Sequence, residues 1–205
     1  MSPQVTAADV KALRERTGAG MMDCKAALAE ADGDMEKAIE LLRVKGQASA
    51  SKRSGRATAE GVVASYIHAT GRVGVLVEVG CETDFVARTD EFREFAREIA
   101  VHIAGAAPPP LYVSKGEIPD ETRDAERRVL EQAAREDGKP DDIVDRIVGG
   151  QLAKWEAGIA LLDQEHINTD RYEGKTIEEL RTDIASKTGE NVTIARFARF
   201  QVGEE

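Results

Sequence analysis

Between residues 6 and 45, apolar positions recur at three- and four-residue intervals, the period of amphipathic helices. Three short helices are predicted there. Thr6 and Asp9 have the spacing of a capping box, with Asp in place of the usual Glu, and Val5 and Val10 have that of a hydrophobic staple. The first helix offers Val10 and Leu13 and ends at Thr17-Gly18, where glycine suits a left-handed cap. The second runs from about Met21 to Ala31, with Cys24, Ala27, Leu28 and Ala31 on one stripe. Gly33 stops it, Asp34 caps the third, and Met35, Ala38, Ile39 and Leu42 give the third its apolar face until Gly46 closes it. Isolated helices shorter than about 12–15 residues are marginal in water, so the three are expected to support one another as a domain over residues 1–46. Residues 47–58 are small and polar, the signature of a linker. Arg43, Lys45, Lys52, Arg53 and Arg56 make this region basic, with no acid among them, which fits a solvated hinge or a contact with an acidic partner.

From Gly61 the period changes to two. The runs VVASYIH (62–68) and RVGVLVEV (72–79) flank Ala69-Thr70-Gly71 and predict a β-hairpin, with Val73, Val75, Val77 and Val79 along one face. Thr89 or Asp90 then caps a helix whose Phe92, Phe95, Ala96, Ile99, Ala100 and Ile103 form one stripe, until Pro108, Pro109 and Pro110 end it. Across 117–145 acids outnumber bases and apolar residues are sparse, so a mostly solvated helix is predicted. A new helix starts near Asp141, after Gly138-Lys139-Pro140, and carries Ile143, Ile147 and Val148 towards Trp155. Thr176 and Glu179 make a second capping box ahead of Ile177, Leu180 and Ile184, and Gly189 ends that helix. The last run, NVTIARFARFQV (191–202), is β-rich and can pair with the hairpin. Helices inserted between a hairpin and a closing strand indicate an α+β domain over residues 59–205.

Charge and composition narrow the function. The chain has 205 residues, 41% hydrophobic and 32% charged, with a net charge of -10. Phosphate backbones need a basic surface, so direct nucleic-acid binding is not expected. No apolar run approaches the roughly 20 residues that span a bilayer, and the N-terminus lacks the layout of a signal peptide, so a cytoplasmic protein is expected. Cys24 and Cys81 are too few for a zinc site or a disulfide framework. They are read as small buried thiols, with a bridge between them left open.

Candidate chemistry is thin. His68, His102 and His166 are scattered without metal-ligand spacing, and no nucleophile elbow, phosphate loop or dinucleotide fingerprint occurs. No catalytic residue, metal or cofactor is assigned, and an enzyme is not expected. Binding remains. The stretch CETDFVAR (81–88) joins the valine-rich strand to the next helix, in a chain that is only 4% aromatic. Thr83 and Asp84 can bond to local backbone amides and stiffen a turn. Phe85 is then either the anchor that fixes the turn to the core or an aromatic presented to a partner.

Two long motifs carry a family resemblance. LRERTGAGMMDCKAALAEADGDMEKAIELLRVKG (13–46) and GRVGVLVEVGCETDFVAR (71–88) resemble the two signatures of the bacterial elongation factor Ts family, in the family's order. GKPDDIVDRIVGGQLAKW (138–155) and FARFQVGE at the end match as well. The resemblance implies a guanine-nucleotide exchange factor that promotes GDP release from elongation factor Tu during translation elongation. It implies that residues 1–46 are similar to ubiquitin-associated domains and dock on the nucleotide domain of Tu, with Arg14, Met21 and Met22 at contact positions. The turn of Thr83, Asp84, Phe85 and Val86 would wedge between helices of Tu and disturb its magnesium and phosphate site. His68, in SYIHATGRVGVLV, matches a histidine that longer members place at the Tu surface.

This chain also departs from the longer members. It has one VGVLVEV and one TDFVAR where they repeat the unit, and with Glu205 as its last residue their C-terminal helical module is not expected. It is therefore similar to short members that work as homodimers. We infer from this that a dimer would supply the two units from two subunits, Phe85 of one and His68 of the other addressing one Tu. Some short members join their subunits by a disulfide near the last strand. No cysteine follows Cys81 here, so a non-covalent dimer is expected. Glu165-His166 stands where the family usually has Pro-Phe, and Gly150-Gln151 where it commonly has Gly-Arg. The competing reading is a ubiquitin-associated-like adaptor without exchange activity.

Overall fold

Thr6 opens the first helix in the computed structural model, which describes residues 5–138 and 140–204. The Thr6 hydroxyl accepts from the Asp9 amide at 3.2 Å, and the Asp9 carboxylate accepts from the Thr6 amide at 3.0 Å, so the capping box forms with Asp doing the work of Glu. Helix α1 (Ala7–Thr17) ends at Gly18 with φ of 69°. Helix α2 (Met21–Glu30) follows, and Asp34 caps α3 by accepting from the Glu36 and Lys37 amides. Val10, Leu13, Cys24, Ala27, Leu28, Ala31 and Ala38 form one buried cluster, with Val5 packed against it. Cys24 and Cys81 are both buried and free.

Helix α3 does not close at Gly46. It runs from Met35 to Arg53, through much of the segment expected as a linker. A helical glycine costs about 1 kcal/mol relative to alanine, but here it permits a close approach. A Cβ at Gly46 would lie 3.0 Å from Ser186 Oγ. Residues 47–53 contain no proline, and the last turn is secured by Arg53, which donates to Ser49 Oγ at 3.0 Å and to the Ala185 carbonyl at 3.2 Å. The basic residues of this region are largely spent within the chain. Arg43 pairs with Glu179 at 2.6 Å, Lys45 with Glu30, and Arg56 with Glu82 at 3.3 Å.

The hairpin is present as β1 (Glu60–Ile67) and β2 (Val73–Cys81), and the closing strand is β3 (Thr193–Gln201). The sheet order is β1-β2-β3, antiparallel, with the last strand laid against β2. Val75, Val77 and Val79 alternate into the core, as the period of two demands. Between β2 and β3 come a short helix α4 (Asp84–Ala87), then α5 (Asp90–Gly105), α6 (Asp120–Glu136), α7 (Asp141–Ile159), α8 (Thr169–Tyr172) and α9 (Ile177–Thr188). The architecture is α+β, as expected.

Thr89 caps α5, its hydroxyl accepting from the Phe92 amide at 3.3 Å. The predicted stripe holds except at Phe95, which is half-buried: Phe92, Ala96, Ile99, Ala100 and Ile103 are fully buried. Each large apolar side chain so buried contributes about 1.5–3 kcal/mol. Helices α6 and α7 form a hairpin whose small core is Leu130, Ala134, Val144 and Val148. Most of α6 faces solvent, in keeping with its acidic composition. Lys139, part of the predicted break between these helices, lies outside the described residues.

By their contacts the described residues fall into two compact units. One gathers Met1–Val62, as far as described, with Gly80–Arg93 and Glu179–Thr193. The other gathers Val63–Val79, Glu94–Glu178 and the described part of Ile194–Glu205. Within the first, Gly18 approaches Lys187, whose ammonium pairs with Glu91 at 2.8 Å, and Thr58 bonds Thr193 at 2.8 Å.

Candidate functional site

The junction after β2 turns sharply because Thr83 and Asp84 supply local acceptors and Cys81 a donor. Thr83 is extended, with φ of -128° and ψ of 153°, and its hydroxyl accepts from the Val86 amide at 3.4 Å, capping α4. Cys81 donates its thiol hydrogen to the Thr83 carbonyl at 3.2 Å. Burial, reinforced by the Glu190 carboxylate, pushes that thiol up to about 11, so it stays protonated and unreactive at neutral pH. Asp84 pairs with Arg88 one turn on, at 2.9 Å. Val86 and Ala87 turn inward and are buried, while Phe85 turns outward and is 77% exposed.

That division argues against Phe85 as the anchor of the turn. The anchoring of the turn falls to Val86, Ala87 and the Thr83 cap, and Phe85 contributes none of it. Phenylalanine usually loses most of its surface on folding, so one left this exposed on a capped turn is available to a partner.

Arg14, Met21 and Met22 stand on either side of the short turn 18–20, Arg14 in the last turn of α1 and the methionines in the first turn of α2. All three are exposed; Met21 keeps 58% of its surface and Met22 73%. Unbranched thioether side chains adapt to irregular partner surfaces. These three residues and Thr83–Val86 belong to the same compact unit. His68 belongs to the other unit, just beyond the end of β1, exposed, with its Nδ1 3.1 Å from the Tyr66 hydroxyl.

Two of the scattered histidines meet in space. His102 and His166 are buried with ring centroids 5.4 Å apart. Each Nδ1 accepts a backbone amide, from Ile167 at 3.2 Å and from Asn168 at 3.1 Å. Each proton must therefore sit on Nε2, donated to Gln164 Oε1 at 2.9 Å by His102 and to the Glu98 carbonyl at 3.2 Å by His166. Burial pushes His102 down to about 4 and lowers His166 as well. Both rings are neutral and fully bonded, with no nitrogen left to take a ligand or a substrate proton. His166 also packs edge-on against Tyr172 at 4.3 Å, which shows how a polar ring fills the site where Phe was expected from the resemblance. Among the described residues, no group of three or more His, Cys, Asp or Glu side chains is placed to hold a metal ion. No helix among them is long and apolar enough to cross a membrane.

Residue reading missed what holds the Phe85 turn. Glu190, in the loop between α9 and β3, accepts from the amides of Glu82 and Thr83, both at 3.0 Å, and from the Thr83 hydroxyl at 2.6 Å. Glu82 accepts in turn from the Asn191 amide at 2.6 Å. The one local signal is a polar Glu-Asn pair between a helix-stopping glycine and an apolar strand.

The fold and this turn together define an α+β protein that presents an aromatic side chain on a braced loop. The sequence profile described as Elongation factor TS matches residues 5–204. Similar proteins, each called elongation factor Ts, include one from Caldanaerobacter subterraneus subsp. tengcongensis, 53% identical over 98% of this chain and 98% of its own length. Another, from Carboxydothermus hydrogenoformans, is 52% identical over 98% of this chain and 90% of its own. One from Geobacter sulfurreducens is 50% identical over the same shares. The chain belongs to the elongation factor Ts family, a family of translation elongation factors.

Proposed function

We propose that this protein promotes GDP release from elongation factor Tu, with Phe85 as the wedge that disturbs the magnesium and phosphate site of Tu. The observation that carries the reading is the 77% exposure of Phe85 on a turn whose cap and buried flanks hold it still. The mechanism follows from linkage. A factor that binds the nucleotide-free partner more tightly than the GDP-bound one must, by reciprocity, loosen the partner's hold on GDP. Each 1.4 kcal/mol of that difference is a factor of ten in affinity. No proton transfer or covalent step is required, so no catalytic acid, base or nucleophile is assigned. Thr83 caps the wedge, Asp84 and Val86 flank it, and Arg14, Met21 and Met22 supply a docking contact from the helices of residues 1–46.

The working species in this reading is a non-covalent homodimer. Ile67, Leu76, Phe200 and Val202 are exposed and line one hollow where the sheet meets the turn after β3. In that hollow a Cβ at Gly74 would touch Ile67. Such a patch is characteristic of an interface, and a two-fold dimer would cover it with its own copy. His68, next to Ile67, would then reach Tu from the subunit opposite the one that inserts Phe85.

The test is the release of a fluorescent GDP analogue from elongation factor Tu. Marked acceleration by catalytic amounts of the chain is expected. Binding to Tu without acceleration would leave an adaptor and overturn the exchange reading.

A further inference from the structure

We infer that Glu190 is the positioning residue of the Phe85 turn, its carboxylate fixing the Thr83 cap in the conformation that presents Phe85. The functional consequence rests on the exchange reading above.

Helix α4 has four residues and cannot hold itself in place, because so short a helix has too few internal bonds to offset its ordering. Val86 and Ala87 anchor it to the core, and the path of the chain into it is set from outside by the Glu190 carboxylate. Glu190 Oε2 accepts two consecutive amides, those of Glu82 and Thr83, which fixes the path of the chain into the turn. Glu190 Oε1 takes the Thr83 hydroxyl proton at 2.6 Å. With that proton directed away, the hydroxyl oxygen offers a lone pair to the Val86 amide. Glu190 thus orients the cap as well as the backbone before it. Hydrogen bonds to an ionised acceptor are shorter and about twice as strong as neutral ones, and three converge here on two residues.

A reciprocal bond closes the arrangement. Glu82 Oε1 accepts from the Asn191 amide and from Arg56, while the Asn191 side-chain amide donates to the Ser54 carbonyl at 3.4 Å and the Arg56 carbonyl at 2.8 Å. Each carboxylate holds the segment that carries the other, and both are tied to the residues that follow α3. All of these groups lie in one compact unit, together with Phe85 and the exposed methionines. Phe85 gains little from packing of its own, so its placement is inherited from the turn. A rigidly presented aromatic binds at low entropic cost, and one on a loose turn does not. Docking through Met21 and Met22 does not depend on Glu190, so its loss is expected to slow the exchange step more than it weakens association.

The test uses the full chain with Glu190→Ala and Glu190→Gln. The Gln amide oxygen can keep both backbone amides, though without the charge, and the Thr83 hydroxyl loses its acceptor. In GDP release from elongation factor Tu, Glu190→Ala is expected to lower the limiting rate roughly ten- to a hundredfold, with the half-saturating concentration little changed. Glu190→Gln is expected to recover most of that rate. In the free chain, hydrogen exchange at the Glu82, Thr83 and Val86 amides is expected to speed up in Glu190→Ala while the amides of α1–α3 keep their protection. A normal limiting rate in Glu190→Ala would overturn the inference. So would equal losses in both variants accompanied by lost protection across α1–α3, which would mark a general structural role. If the unaltered chain fails to accelerate GDP release, the exchange reading falls, and the amide measurement alone decides whether Glu190 fixes the turn.

Discussion

The buried histidine pair makes stability depend on pH in a calculable way. His102 is held neutral by burial, with its titration moved from an ordinary 6.5 down to about 4. Its Gln164 bond raises that value without outweighing burial, and the neighbouring His166 lowers it further. The groups around the pair are Glu98 on α5, Gln164, and Arg171 and Tyr172 on α8, with Arg171 already paired to Glu94 at 3.0 Å and Glu98 at 2.9 Å. The unfolded chain takes up a proton on His102 below pH 6.5, and the folded chain does so only near 4. Stability is therefore full above the unfolded value and falls as pH drops through the interval, levelling out below 4. For His102 alone the loss relative to neutral pH is about 1.4 kcal/mol at pH 5.5 and roughly 2.5 kcal/mol at pH 4.5. His166 is shifted the same way and adds to the loss. The capping carboxylates Asp9 and Asp34, lowered by the Thr6 hydroxyl and the Lys37 amide respectively, titrate below this window and do not obscure it. Urea unfolding at several pH values, followed by circular dichroism, measures the slope. Replacing His102 with Gln keeps a donor for Gln164, removes the titration, and is expected to flatten the curve between pH 6.5 and 4.5 even if its plateau is lower. Stability constant from pH 7.5 to 5, or an unchanged slope in the Gln variant, would refute the reasoning.

Other expectations follow from exposure. Met22→Asp alters a side chain that is 73% exposed, so the melting temperature should hold while affinity for elongation factor Tu falls about ten- to a hundredfold, as read by calorimetry. Phe200→Asp places a charge in the apolar hollow at the sheet, where Phe200 is 70% exposed, and is expected to convert a dimer to monomers in sedimentation without loss of helix content. A dimer that survives would remove this hollow from the interface.

Local chemistry was legible in the sequence. The Thr6–Asp9 box, the Gly18 cap, the Thr89 cap, the valine alternation and the α5 stripe are each set by residues within a few positions of one another, and each formed. What the sequence hid depends on residues far apart. Gly46 read as a stop because a lone glycine carries no sign that Ser186 will lie against it. His102 and His166 looked scattered because 62 residues separate His102 from Gln164 and 68 separate His166 from Glu98. The basic run after Leu42 looked free because Glu179 and Ala185, its acceptors, belong to α9. At the candidate site the motif showed which residue was unusual, but not its direction. Only the fold shows Val86 turned in and Phe85 turned out, and only the fold brings Glu190 under Thr83.

The most direct measurement of the central claim is GDP release from elongation factor Tu with the unaltered chain and with Phe85→Ala. Phe85 stands clear of the core, so its removal should leave folding and the melting temperature within experimental scatter. Strong acceleration by the unaltered chain is expected, largely lost in the variant although both still bind Tu. Equal acceleration by the two proteins would contradict the wedge.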